Sequence, residues 1–260
     1  MTRSIFSDSL VAKLGKAQSV VAFTGAGISA ESGVPTFRGN QGIWTKFKPE
    51  ELASMDAFLA NPALVWEWYA ARKRIFRDVR PNVGHLAIAR MERLFRRFTV
   101  VTQNIDNLHQ RGGSSSVIEL HGNIERNYCL GCGMEFVNEE IDFREGIATC
   151  TKCSGLVRPD VVWFGELLPV DQWNESVKAV EAADLVLSIG TSGVVFPAAE
   201  IPLIGKYHGA YTVEINPEET ELSHKMDEVI RMKSSEALPE LLRAIEVRES
   251  RRPIEGSVPK

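Results

Sequence analysis

Four runs rich in β-branched residues alternate with helical patterns, and no other feature restricts the fold of this chain so tightly. They are SVVAFTG (19–25), FTVVTQN (98–104), LVLSIGT (185–191) and YTVEIN (211–216), with a shorter fifth, EVIRM (228–232). Near-continuous apolar runs of this length suit strands buried on both faces, as in a parallel sheet. Helical patterns separate them at about 85–96, 171–182, 197–208 and 236–247. Strand alternating with helix predicts an α/β fold with a doubly wound, Rossmann-like parallel sheet.

Two stretches break the alternation. Residues 40–84 are mostly helical in pattern, and residues 124–158 hold all four cysteines among short strands and turns. Both read as inserts that build a smaller helical plus zinc-ribbon domain across a cleft. The expected division is then 1–39, 85–123 and 159–248 for a discontinuous large domain, 40–84 and 124–158 for the small one, and 249–260 for a charged, frayed tail. A chain of 260 residues suffices for that plan. Its net charge of −4 gives no general reason to expect nucleic-acid binding. No run approaches the about 18 apolar residues of a membrane span, and the N-terminus has no leader pattern, so a cytoplasmic protein is expected. We expect it to act as a monomer.

The cysteines are paired as CLGC (Cys129, Cys132) and CTKC (Cys150, Cys153), spaced C-x2-C-x17-C-x2-C. This is zinc-ribbon spacing. Four thiolates complete a tetrahedron and leave no open position, so the expected zinc is structural. A zinc ribbon that binds nucleic acid is the competing reading. Between Cys129 and Cys153, two basic residues (Arg144, Lys152) face five acidic ones (Glu135, Glu139, Glu140, Asp142, Glu145), a local charge of −3 that opposes phosphate contact.

The first strand leads into GAGISAESGVPTFRG, with Gly25 and Gly27 directly after it. Gly-x-Gly at such a turn lets backbone approach a pyrophosphate, although the third glycine, Gly33, is displaced from the usual fingerprint. Taken alone, the segment also has an ordinary reading as a tight strand–helix turn. A nicotinamide-dependent dehydrogenase is disfavoured, because no contiguous early βαβ unit carries an acidic residue about 20 positions on. The segment is followed by TQNIDNLHQRGG (102–113), ELHGN (119–123), the paired cysteines, VVWFGE (161–166), GTS (190–192) and EINPE (214–218). This set, in this order, resembles the sirtuins (Sir2 family), the NAD-dependent protein-lysine deacylases, from about residue 19 to 243.

The resemblance implies NAD as a consumed co-substrate, together with one zinc. It places the dinucleotide against Gly25, Ala26, Gly27, Ser29, Phe37, Arg38 and Trp44, against Gly190, Thr191 and Ser192, and against Asn216, Pro217 and Glu218, with Ser234 near the adenine. Gln103, Asn104, Ile105 and Asp106 would line the nicotinamide and ribose pocket, Asn104 with a catalytic share. In the family's chemistry the acyl oxygen attacks the nicotinamide ribose, nicotinamide leaves, and a histidine takes the proton of a ribose hydroxyl. The matching residue is His121, and imidazole can accept a proton near neutral pH. His85 and His109 sit in helical contexts with ordinary explanations, and His208 and His224 read as surface residues. VVWFGE and GVVFP (193–197) would form two edges that dock an extended acyl-lysine peptide or protein segment, with Val162 and Phe164 walling the lysine tunnel.

The segment LVWEWYAARKRIF (64–76) has a helical stripe of Val65, Trp68, Tyr69, Ile75 and Phe76, and Arg72 falls on it. An isolated arginine there would snorkel to solvent. YAAR also matches the Tyr-x-x-Arg pair of class III sirtuins, which implies that Tyr69 and Arg72 hold the free carboxylate of a succinyl or malonyl group, with acetyl also removed. Ala53 and Gly193 are small where such a pocket needs room. The alternatives are a plain deacetylase with a structural Arg72, and a protein ADP-ribosyltransferase.

Overall fold

The computed structural model describes residues 5–36, 49–137, 140–144 and 146–249. Among these the strands are, in chain order, β1 Ser19–Thr24, β2 Arg97–Thr102, β3 Val117–Glu119, β4 Gly122–Cys129, β5 Glu135–Val137 and β6 Asp142–Arg144, then β7 Ile147–Thr149, β8 Val157–Val161, β9 Leu185–Ile189, β10 Tyr211–Ile215 and β11 Glu228–Ile230. Six of them form one sheet in the order β11-β10-β9-β1-β2-β3, and every pairing in it is parallel. The chain runs outward from β1 through β2 to β3, then returns to build β9, β10 and β11 on the other side. The switch point therefore lies between β1 and β9, where open α/β sheets place their ligands.

Every residue of β1 is buried, and alternate residues feed opposite layers. Val20 and Ala22 pack with the helices Asp8–Leu14, Val83–Met91 and Ser234–Glu249, through Leu10, Ile88 and Leu241. Val21 and Phe23 pack with the helices Val170–Glu181 and Ile201–Tyr207, through Val180 and Ile201. This is the double winding expected from the apolar runs. β3 is a sixth strand with no counterpart among the expected five; three half-buried residues are too short a run to register as a strand.

A second apolar cluster joins the helix Pro62–Asp78 to the cysteine-bearing segment: Val65, Trp66, Tyr69 and Phe76 pack with Ile124, Phe136, Ala148 and Val157. Trp66 donates its indole N–H to the Val157 carbonyl at 2.9 Å. The helix starts at an Asn61 cap followed by Pro62, the usual chemistry of a first turn. At its other end Arg111 donates to the carbonyls of Phe76 and Val79 at 2.7 and 2.6 Å, supplying partners and a cation where a helix lacks both. The stripe differs in detail from the expected one. Trp66 is buried within it, whereas Ile75 is exposed, because β8 and the β6–β7 hairpin cover the Trp66 side.

The strand that VVWFGE suggests is shorter than its apolar run. β8 ends at Val161, and residues 162–166 continue as extended backbone and a turn. Residues 193–197 are likewise bends and turns. The apolar residues of both stretches line a cavity.

Candidate active site

Parallel registry brings the carboxyl ends of β1, β2, β9 and β10 level, with Thr24 opposite both Thr102 and Ile189. The turns that leave these strands surround a cavity of about 920 Å³, within the range of ligand sites. Gly25–Gly27, Gln103–Ile105, Gly190–Ser192 and Asn216–Glu219 line it. The glycines answer first to each other. A Cβ on Gly27 would lie 2.7 Å from Gly190, and one on Gly190, whose φ is +59°, would lie 2.5 Å from the Ile28 nitrogen. Two turns thus pack backbone to backbone at the switch point. The following helix, Ala26–Ala30, spans five residues, so close backbone approach contributes more here than a long helix dipole.

Behind that wall a polar relay fixes the end of β2. Asn104 donates to the Gly25 carbonyl at 3.0 Å and to Ser29 Oγ at 3.1 Å, and Ser29 in turn bonds to Asp106. Burial raises the Asp106 carboxyl above its ordinary value, against the opposing pull of Ser29 and of the Leu108 N–H. Gln103 Nε2 donates to Thr191 Oγ1 at 3.0 Å, and Asn216 Nδ2 donates to the Thr191 carbonyl at 2.9 Å. One threonine thus links three strand ends.

His121 sits where the chain leaves β3 of the large sheet and enters β4 of the small one. Its Nδ1 lies 2.9 Å from the Gln103 carbonyl oxygen, which only accepts. Nδ1 therefore carries the hydrogen, and Nε2 presents its lone pair as a base. Burial lowers its pKa, which favours the neutral ring, and the bond to Gln103 opposes that in part. The next residue, Gly122, has φ +78°, and a Cβ there would fall 2.1 Å from the Asp160 carbonyl oxygen. Glu119 pins the crossover by accepting from Gln110, Asn123 and Arg126 at 2.7, 2.6 and 2.7 Å.

The other end of the cavity is apolar and aromatic, with Ala53, Trp68, Tyr69, Val162, Trp163 and Phe164 on its wall. Tyr69 is buried, and loss of water pushes its hydroxyl up to about 12. Arg72 is only 5 % exposed, which rules out the snorkelling expected of an isolated arginine. Its guanidinium carbon lies 4.8 Å from the Trp68 ring and 5.1 Å from the Phe76 ring. Burial pulls its pKa down to about 10, with Tyr69 and Asp106 opposing, so it stays charged at neutral pH. It packs behind the wall that Trp68 and Tyr69 form. Gly193 does not enlarge this end: its φ is +72°, and a side chain there would meet Leu222 at 2.7 Å.

The four cysteine sulfurs lie within 4.8 Å of one another, with Cys129–Cys153 at 3.5 Å and Cys132–Cys150 at 3.7 Å. Tetrahedral zinc–thiolate bonds of about 2.3 Å would put sulfurs about 3.8 Å apart, so the cluster fits a structural zinc. Backbone N–H groups of Gly131 and Lys152 donate to Cys129 and Cys150, as thiolates require.

The family model described as "Sir2 family" matches residues 25–197. The chain belongs to the Sir2 family. It is 50 % identical over 220 residues to the NAD-dependent protein deacylase of Aquifex aeolicus, covering 85 % of this chain and 92 % of that one. Among solved structures, a mutant Sir2 homologue–ADP-ribose complex superposes with a TM-score of 0.92 at 42 % identity, over 95 % of this chain and all of that one. A Sir2–p53 peptide–NAD+ complex superposes with a TM-score of 0.82 at 32 % identity, covering 92 % and 98 % of the two chains. This Sir2-family chain is an NAD-dependent protein deacylase.

Most residues singled out from the sequence of this Sir2-family chain share the cavity wall: Gly25, Ala26, Gly27, Gln103, Asn104, Ile105 and His121, the Gly190–Ser192 and Asn216–Glu218 turns, Ser234, and also Tyr69, Val162 and Phe164. Ser29, Asp106 and Arg72 lie behind it: Ser29 holds Asn104, Asp106 holds Ser29, and Arg72 packs on Trp68. Phe37, Arg38 and Trp44 lie outside the described residues. Several wall residues escaped the sequence reading. Glu31 accepts from Ser234 Oγ at 2.7 Å and joins the first turn to the helix Ser234–Glu249, and burial's upward push on its carboxyl is outweighed by Ser234, Ser235 and Lys233, which lower it. Trp163 was legible only as part of an apolar run.

Proposed function

We propose that this protein removes acidic acyl groups, succinyl and malonyl, from protein lysines in an NAD-dependent reaction, and acetyl groups as well. One observation carries the reading: a buried guanidinium, charged at neutral pH, packs directly behind the Trp68–Tyr69 wall at the apolar end of the cavity, with the neutral Tyr69 phenol on that wall. A planar guanidinium suits a carboxylate, which it can hold with two parallel hydrogen bonds. The glycine, Gln103 and Asn216 turns would bind the dinucleotide, which supplies the ribose carbon that accepts the acyl oxygen. His121 Nε2 would take the proton of a ribose hydroxyl, and Gln103, through Nδ1, would hold the ring in the tautomer that permits this. Asn104, held by Gly25 and Ser29, would position the reacting ribose.

The division into 1–39, 85–123 and 159–248 against 40–84 and 124–158 draws support from the cluster that packs the helix Pro62–Asp78 against the cysteine-bearing segment, which Val34, Ile105, Leu108, Val161 and Trp163 of the larger part also join, and 249–260 would be a tail. Among the described residues no helix is long and apolar enough to cross a membrane. The clustered thiols favour a reducing, cytoplasmic setting. The acidic cysteine segment argues against nucleic acid, and we assign a monomer.

The reading is tested by incubating succinyl-, malonyl- and acetyl-lysine peptides with and without NAD and resolving the products by mass. NAD-dependent free lysine with O-acyl-ADP-ribose is expected. ADP-ribosylated protein without peptide deacylation would replace this reading with an ADP-ribosyltransferase.

A further inference from the structure

Trp163 is 2 % exposed, yet it forms part of the cavity wall, and its ring is held on several sides. The Arg158 guanidinium lies 3.5 Å from the ring centroid, and Phe58 packs at 5.2 Å. Arg158 is itself clamped: its two terminal nitrogens pair with the two Glu166 oxygens at 2.5 and 3.0 Å, and one of them also donates to the Val161 carbonyl at 2.7 Å. Glu166 closes the loop by accepting the Trp163 backbone N–H at 2.7 Å. A buried, bidentate, multiply bonded pair of this kind sets geometry, and here what it sets is the plane and direction of one indole.

That indole points its N–H at the Tyr69 oxygen, 2.7 Å away. An indole nitrogen only donates, so Tyr69 is the acceptor. Its own O–H hydrogen is then directed elsewhere, and polarisation by the indole strengthens it as a donor. The phenol stays protonated through the working range, since burial pushes it up to about 12.

We propose that Trp163 is a positioning residue for acyl-group specificity: by occupying the acceptor side of Tyr69, it commits that hydroxyl to donate to the acyl group, and so favours acyl chains ending in a hydrogen-bond acceptor such as a carboxylate. This rests on the acidic-acyl reading above. Arg158 and Glu166 act one step further back, as the clamp that aims the indole.

Trp163→Phe keeps a ring on Arg158, removes the N–H and shortens the buried ring system, so the comparison with Tyr69→Phe isolates the part that acts through the hydrogen bond. The test is a double-mutant cycle of Trp163→Phe and Tyr69→Phe, read as the ratio of kcat/KM for succinyl- over acetyl-lysine peptide, with zinc content and melting temperature reporting the fold. Arg72→Met is run beside it. The ratio is expected to fall roughly 3- to 10-fold in Trp163→Phe, mainly through KM for the succinyl peptide, and to fall no further when Trp163→Phe is added to Tyr69→Phe. Glu166→Gln loosens the same ring from the other side and is expected to lower the ratio in the same direction. Independent, multiplying effects, or equal losses on both peptides, overturn the proposal while a large effect of Arg72→Met leaves the acidic-acyl reading standing. A ratio insensitive to Arg72→Met overturns both.

Discussion

Gly122→Ala is the smallest change that should damage both the fold and the chemistry. Gly122 lies beside His121 at the crossover from the large sheet to the small one, with φ +78° and only 2.1 Å between an added Cβ and the Asp160 carbonyl oxygen. The left-handed backbone alone costs alanine roughly 1–2 kcal/mol. Normal contact would require β4 and β8 to part by about 1 Å, and such overpacking costs roughly 1–3 kcal/mol more. The sum is about 2–5 kcal/mol, or a fall of about 4–20 °C in melting temperature for a chain of this size. Next to the two strand ends that would part runs the 3.0 Å bond from Val162 N–H to the His121 carbonyl. A misplacement of about 1 Å can cost on the order of 10²-fold in rate, so kcat/KM should fall further than the folded fraction does. Thermal unfolding and steady-state deacylation on the same zinc-loaded sample would measure both. A melting temperature within about 2 °C of the parent, with near-normal kcat/KM, would refute the claim that this crossover sets the histidine's position.

Three other perturbations follow from the site. His121→Ala should lower deacylation roughly 10²–10⁴-fold with little change in melting temperature, and near-normal turnover would point to another base. Stripping the zinc should lower stability along with activity, since Cys129 and Cys150 belong to the core of the small part; unchanged stability in metal-free protein would contradict a structural role. Acid should destabilise the fold through His85, whose pKa burial lowers from 6.5 to about 4. Its folded-state pKa lies below the unfolded one, so the unfolded chain binds the extra proton and stability falls as pH drops through the window from 6.5 to about 4. At pH 5 that amounts to about 2 kcal/mol in urea unfolding, and His85→Gln should reduce the slope, leaving the share of His109 and His121, whose pKa values burial also lowers.

The double winding was readable because both sheet faces are covered, which makes β1, β2, β9 and β10 continuous apolar runs. The same rule misled at VVWFGE, where the strand ends at Val161 and the apolar side chains beyond it face a cavity. Periodicity reports burial, and a ligand wall is buried much as a core is. Gly193 looked like room for a ligand, but its left-handed backbone and Leu222 require the missing side chain. The relay from Asn104 through Ser29 to Asp106 joins residues up to 77 positions apart, from Ser29 to Asp106, and depends on β1 lying beside β2, which single-sequence spacing does not express. Arg158, Glu166 and Trp163 show the same limit. Each is unremarked in its own neighbourhood, and only packing turns them into a unit.

The central claim is that Arg72 recognises a carboxylate. It is tested most directly by kcat/KM for succinyl- and acetyl-lysine versions of one peptide, in the parent protein and in Arg72→Met. Leaving a buried carboxylate without its charged partner costs about 2–5 kcal/mol, so succinyl-lysine turnover should fall roughly 30- to 5,000-fold. Acetyl-lysine turnover should fall far less, inverting the preference between the two. Equal losses on both peptides would show that the guanidinium supports only the helix and its aromatic neighbours, and would contradict the account.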